Sequence, residues 1–269
     1  MADVLIYLAP PVVLGLIGGF LGGYAGIAGA PLLIALMVIL LGWEQHAAQG
    51  TILAVMLGPM TLFGLLAMRH RLWPLRYYIV AGVLAYMVAS YAGAWMAFRV
   101  PDLPLRITFM VLLFGLAARH LLARPAAVGR PLNPFGLTVT HPRVKPRPVW
   151  VILVCIGVGV IGGFWGIGAG VLMVPLFMGL FGAHKDDART LSLAILLPPV
   201  SIGAAVVYHQ QGAIRWDMAG IIFAGYMATN YFGARLGRWH DHATFARWFG
   251  VVMLLLGLSY LALVLWGGG

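Results

Sequence analysis

Glycine is concentrated in two segments of this chain, at Gly15, Gly18, Gly19, Gly22, Gly23, Gly26 and Gly29, and again at Gly157, Gly159, Gly162, Gly163, Gly166, Gly168 and Gly170. Two kinds of chemistry could use them. Glycine lets a helix unwind and turn backbone N–H groups toward a ligand. A helix that restarts after such a break offers free N–H groups and a positive dipole end, which suits an anion. The competing use is close helix packing, because Gly18 to Gly22, Gly22 to Gly26 and Gly166 to Gly170 are all GxxxG spacings. Adjacent pairs such as Gly18-Gly19 and Gly162-Gly163 exceed what packing alone requires.

Polar residues inside the apolar runs are few, and the neutral ones that stand out are Thr51, Thr61, Ser90, Ser192, Ser201, Thr229 and Asn230. A single Ser or Thr in a membrane helix ordinarily bonds its own backbone. Asn230 is the costliest of them to bury unpaired, which makes it the leading polar candidate. Arg189, following Lys185, Asp186 and Asp187 at the start of an apolar run, is the cation best placed to attract an anion, and Gln49 is its counterpart earlier in the chain. Paired with an Asp, the same arginine is an ordinary snorkelling end residue. Glu44, His46 and His209 are titratable groups at segment ends, with solvated loop positions as their ordinary setting. No Asp or Glu falls in mid-run, so a buried carboxylate relay is not visible and proton coupling stays open.

Signatures of catalysis are missing: HExxH, CxxC, GxSxG and a Walker loop do not occur. The string Gly157-Val158-Gly159-Val160-Ile161-Gly162 matches GxGxxG literally, but it sits in a continuous apolar run without the strand that a dinucleotide site needs. The reading is a non-enzyme without cofactor, metal site or catalytic residues. Cys155, the single cysteine, lies in an apolar run as a small inert side chain.

The elements that hold these residues follow from composition. The chain has 269 residues, 62% apolar and 9% charged, far from the charged share of about 25% in soluble domains. It reads as an all-α polytopic membrane protein. The net charge of +10 comes from basic residues in the gaps between apolar runs, where loops collect them, so nucleic acid is not implied. Eight apolar segments stand out: 4–41, 51–68, 77–98, 105–122, 149–181, 190–208, 218–236 and 245–266. The first lacks a basic n-region and runs beyond a leader's apolar core, so it reads as a membrane element. Six prolines between Arg124 and Pro148 forbid regular structure there. The expected organisation is a first membrane repeat at 1–123, a basic Pro-rich linker at 124–148 and a second membrane repeat at 149–269.

The halves match in detail. Gly18-Gly19-Phe20-Leu21-Gly22 corresponds to Gly162-Gly163-Phe164-Trp165-Gly166, and Pro31-Leu32 to Pro175-Leu176. Later pairs are Ala48/Ala188, Pro59/Pro199, Thr61/Ser201, Tyr86/Tyr226, Ser90/Asn230 and Gly93/Gly233. Segments 4–41 and 149–181 are too long for one simple crossing, the latter reaching about 50 Å as a straight helix. Each is either one tilted or broken span or a hairpin. With eight single crossings the basic residues divide ten against seven; with both long segments doubling back they divide fourteen against three. The positive-inside rule prefers the second arrangement. Each half is then a glycine-broken hairpin or re-entrant segment followed by three transmembrane helices. The repeats are inverted, with the linker cytoplasmic and both termini outside. Inverted repeats with interrupted segments characterise secondary transporters.

At these glycine segments the sequence resembles the sulfite exporter TauE/SafE family, also called the toluene sulfonate uptake permeases. The resemblance rests on Gly18 through Leu32, Gly162 through Leu176, the Ala-x-x-x-Ser pattern at Ala188 to Ser192, and Tyr208-His209-Gln210-Gln211-Gly212-Ala213-Ile214-Arg215-Trp216. It covers almost the whole chain. It implies transport of sulfite, sulfonates or related small sulfur anions across the bacterial inner membrane, without naming the anion or the direction. The first half departs from the second where Gln49-Gly50-Thr51-Ile52 stands opposite Arg189-Thr190-Leu191-Ser192, so the halves are expected to contribute unequally.

The expected substrate site comprises Gly22, Gly23, Gly26, Gly166, Gly168, Gly170, Thr51, Ser90, Ser192, Asn230 and Arg189. Its partners are a small anion and the lipid bilayer, with a coupling proton left open. An anion-selective channel and a non-transporting scaffold or lipid-handling protein are the alternatives.

Overall fold

A computed structural model describes residues 2–25, 29–66, 72–122, 148–168, 170–181, 185–236 and 242–266. The linker expected at 124–148 lies outside them except for Pro148, as do Gly26 and the tips of several loops. The described residues form twelve α-helices, with short non-helical segments but no strand among them: α1 (Ala2–Ala25), α2 (Ala30–Leu41), α3 (Gln45–Val55), α4 (Leu62–Leu66), α5 (Leu72–Ala97), α6 (Asp102–Leu122), α7 (Pro148–Trp165), α8 (Gly170–Phe181), α9 (Lys185–Leu196), α10 (Ile202–Gln210), α11 (Trp216–Leu236) and α12 (His242–Trp266).

Five stretches are long and apolar enough to cross a bilayer: Tyr7–Tyr24, Leu75–Ala97, Asp102–Leu122, Pro148–Trp165 and Arg247–Trp266. A multi-pass membrane protein is the result, and its exposed surface agrees. Trp73 and Tyr77 are 75% and 70% exposed near the start of α5, with the Arg76 guanidinium 4.5 Å from each ring. Near the end of the same helix Arg99 lies 3.4 Å over exposed Trp95. Between Tyr77 and Trp95 the helix rises about 27 Å, close to the hydrocarbon thickness that such aromatic and basic anchors bracket.

Both long glycine segments are broken. The first divides into α1 and α2, the second into α7 and α8. In each, a helix long enough to cross is followed by one of 12 residues, about 18 Å and too short to return across the full core. Gly29 precedes α2 and packs beside Gly18, well inside α1, so α2 starts within the bundle. Pro31 occupies the first turn of α2, where its missing N–H costs nothing. Its counterpart Pro175 falls inside α8, so the two short helices begin at different points of the matched sequence.

Segments 51–68 and 190–208, each read above as one helix, are divided as well. Helix α3 begins six residues before Thr51, at Gln45, and gives way at Met56–Met60 before α4; α9 and α10 are separated around Pro198-Pro199. Proline there removes a helical N–H and clashes with the preceding turn. The broken ends are tied across the molecule by a reciprocal pair of hydrogen bonds. Thr61 Oγ1 donates to the Leu193 carbonyl at the end of α9 (3.0 Å), and Ser201 Oγ donates to the Leu53 carbonyl at the end of α3 (3.3 Å). Carbonyls in a last helical turn lack partners of their own. Ser201→Ala and Thr61→Ala are each expected to lower unfolding stability by about 1–3 kcal/mol, measured by denaturation in detergent. An unchanged midpoint would show that these carbonyls find other donors.

Helix directions follow from the contacts. Helices α1 and α11 run in parallel, from Tyr7 donating to Asp217 at their starts (2.5 Å) through Gly19 on Tyr226 to Gly233 against Phe20. Helices α5 and α7 are likewise parallel, Gly82 meeting Cys155, Gly159 meeting Tyr86 and Gly163 meeting Ser90. Helices α6 and α12 are antiparallel, with Phe109 on Tyr260 and His120 on Phe249. At every parallel crossing glycine brings backbone onto backbone, and the buried core residues close around it. Cys155 is one of these small contact residues, buried beside Gly82.

Candidate functional site

The α7–α8 break holds the glycines with a conformational requirement. Gly166 has φ 68° and Gly168 has φ 67°, the left-handed region that side-chain-bearing residues avoid. Ile167 between them is fully buried. This turn lies on α3: a Cβ at Gly166 would stand 2.7 Å from Gln49 Cβ, and one at Gly168 would strike the Met56 side-chain tip. Trp165, the last residue of α7, donates from Nε1 to Thr108 Oγ1 on α6 (3.3 Å). The break is therefore wedged between α3 and α6, and Gly170 opens α8 from it.

The other expected residues divide by location. Gly22 and Gly23 lie within helical α1, both buried, and Gly22 abuts the Tyr226 hydroxyl on α11. Asn230, on the same helix as Tyr226, donates from Nδ2 to the Gly19 carbonyl (3.4 Å). Gly22, Gly19 and Asn230 thus form one contact region between α1 and α11. Ser90 Oγ donates to the Met87 carbonyl (2.9 Å) and approaches that of Val200 (3.3 Å), tying α5 to the α9–α10 break. Thr51 is fully buried on α3, where its Oγ1 accepts from the Arg215 backbone N–H (3.2 Å). Ser192 is buried on α9, and Arg189 is half-buried on the same helix. The structure brings Thr51 onto the helix that meets Gly166 and Gly168, and groups Asn230 with Gly22.

His46 is built into the protein, unlike a solvated loop residue. Its ring stacks on Phe98 with centroids 4.6 Å apart, its Nε2 lies 3.2 Å from the Ala97 carbonyl, and its Nδ1 lies 3.6 Å from Asp102. Asp102 also accepts from the Gln45 backbone N–H (3.2 Å) and pairs with Arg106 at 2.6 Å. His209 accepts from the Trp216 indole N–H (3.2 Å). Among the described residues no cluster of His, Cys, Asp and Glu could hold a metal ion.

Sequence reasoning passed over Gln45 and Tyr260, met Tyr208 only within the motif that carries the resemblance, and noted Gln49 only as the counterpart of Arg189. Gln45 and Gln49 are fully buried on α3, and each Oε1 accepts from a tyrosine hydroxyl at 2.8 Å, Tyr260 for the first and Tyr208 for the second. Their four-residue spacing was the available signal, since it puts both on one helix face. It went unread because the segment boundary at Thr51 left both in a loop.

Among the described residues the fold and site define a multi-pass, all-helical membrane protein whose two long apolar segments are broken at glycines. The model of the sulfite exporter TauE/SafE family matches residues 12–260, and the chain belongs to that family of membrane transporters for sulfite and related anions. No curated protein and no solved structure matches it.

Proposed function

We propose that this chain is a secondary transporter that carries a small sulfur-containing anion, sulfite, a sulfonate or a related oxyanion, across a bacterial inner membrane by alternating access. The observation that carries the reading is the pair of short helices, α2 and α8, each beginning at a glycine break inside the bundle. A helix that starts there turns unpaired N–H groups and its positive dipole end toward the membrane interior, which serves an anionic substrate. The site is centred on Gly166, Gly168 and Gly170, with Gln49 of α3 against Gly166 and Thr51 two residues further along the same helix. Gly22, Gly23, Gly26, Ser90, Asn230, Ser192 and Arg189 complete the proposed substrate-binding set. Inverted repeats at 1–123 and 149–269 are supported by helix direction: α1 and α11 run together, as do α7 and α5, while α6 opposes α12. The linker at 124–148 faces the cytoplasm in this reading and both termini face outside, as the charge division favours.

The test is flux of labelled sulfite and taurine in proteoliposomes. Saturable uptake, accelerated by unlabelled anion on the opposite side, is the expected outcome. Flux that follows voltage without saturating would make the protein a channel. Folded protein without flux of any sulfur anion would favour a scaffold. Repeating the assay across a pH gradient decides whether a proton is coupled.

A further inference from the structure

We infer that Gln45 and Gln49 are the side-chain donors that recognise the oxyanion, two stations one helical turn apart on α3; this rests on the anion-transport reading above. Both side chains are fully buried. Each has its carbonyl oxygen occupied by a tyrosine hydroxyl, Tyr260 on Gln45 and Tyr208 on Gln49. An amide held in this way turns its NH2 group, with two donors, to the opposite side. Among the described residues neither Nε2 has a hydrogen-bond partner. Two orphaned amides in one buried face are unusual, because buried donors in folded proteins are nearly always paired.

Their surroundings indicate what they bind. The backbone at Gly166 packs on the stem of Gln49, so its amide belongs to the helix break that opens α8. Donors without charge suit an oxyanion that must also leave, since conduction requires binding strong enough to admit the substrate and weak enough to release it. A fixed cation at the same depth would hold the anion longer. The matching positions of the second half carry Lys185 and Arg189, so the neutral pair is particular to the first half. The Gln45 backbone N–H is engaged by Asp102, and Arg106 pairs with that carboxylate, so its negative charge is compensated close to the first amide.

The test uses the full-length protein in detergent, with thermal unfolding followed against sulfite, sulfate, thiosulfate, taurine, an aryl sulfonate and chloride. Two paired variants remove an amide together with its tyrosine hydroxyl: Gln49→Met with Tyr208→Phe, and Gln45→Met with Tyr260→Phe. Each is expected to unfold no lower than the wild type without anion, because a buried unpaired group has been removed. Each is also expected to weaken anion binding at least 10-fold. An anion affinity equal to wild type in these variants overturns the assignment. Should a paired variant not fold, Gln49→Asn decides, since it keeps the amide but withdraws it by one methylene; unchanged affinity there overturns the assignment too. If the folded wild type responds to none of the six anions, the transport reading fails together with this one. A responding wild type with unaffected variants defeats the glutamine assignment alone.

Discussion

Gly163→Leu is expected to abolish recovery of folded protein. Helix α7 crosses α5 so closely that a Cβ at Gly163 would fall on the Ser90 carbonyl, while Gly93 from the other helix meets the Val160 carbonyl in the same way. Backbone cannot rotate aside as a side chain can. Overpacking of this kind typically costs about 1–3 kcal/mol for small insertions, and a leucine brings three further carbons into the same contact. The α1–α11 crossing predicts the same for Gly19, which rests on the Tyr226 carbonyl. Gly157→Ala is the matched control on the same helix, because its Cβ would enter open space. Exchanging glycine for alanine at an unobstructed helical site is neutral or stabilising, by up to about 1 kcal/mol. Fluorescence-detected size exclusion and thermal unfolding of both variants make the comparison. A Gly163→Leu protein that purifies and melts like the wild type would show that α5 and α7 do not touch as described.

Gly166→Ala is expected to fold, yet to lose transport by 10-fold or more together with its response to anions. Two effects act at this position. The left-handed backbone at φ 68° imposes a strain of about 1–2 kcal/mol on a residue with a Cβ. The new methyl also presses on Gln49 Cβ at 2.7 Å, displacing the α7–α8 turn from α3. Gly168→Ala meets the same backbone strain at φ 67°, but its methyl opposes only the flexible tip of Met56, so a smaller functional loss is expected there. Proteoliposome uptake and anion-dependent unfolding, measured on one preparation, separate the possibilities. Wild-type uptake in Gly166→Ala would remove the break from the transport site. Lower stability with an intact anion response would reduce Gly166 to a packing residue.

The glycine clusters illustrate how far sequence reaches and where it stops. That fourteen glycines would matter was legible from their crowding. Which of them pack and which turn the chain was not, because both uses share the GxxxG spacing. Gly19 and Gly163 lie under carbonyls of another helix, whereas Gly166 and Gly168 have left-handed backbones. The hydroxyls behaved similarly. Thr61 and Ser201 were legible as a matched pair, but their exchange of hydrogen bonds with Leu193 and Leu53 depends on two helix ends meeting across the molecule. Pro59 and Pro199 were also visible as a pair, and the sequence reading stopped short of the break that each proline region makes in its crossing.

Composition alone determined the solvent of this protein, since a chain with 9% charged residues has too little polar surface to face water. Spacing alone determined that two long apolar segments exceed one simple crossing, because both are longer than one membrane thickness, while the packed structure chose a break over a single tilted span. Tertiary structure decided what the interruptions are next to. Gln45 and Gln49 acquire buried amides only because Tyr260, Tyr208 and the Gly166 turn close over α3 from distant parts of the chain. Local pattern records how each helix is built. Burial of a polar group against a residue 159 or 215 positions away is a property of the packed bundle.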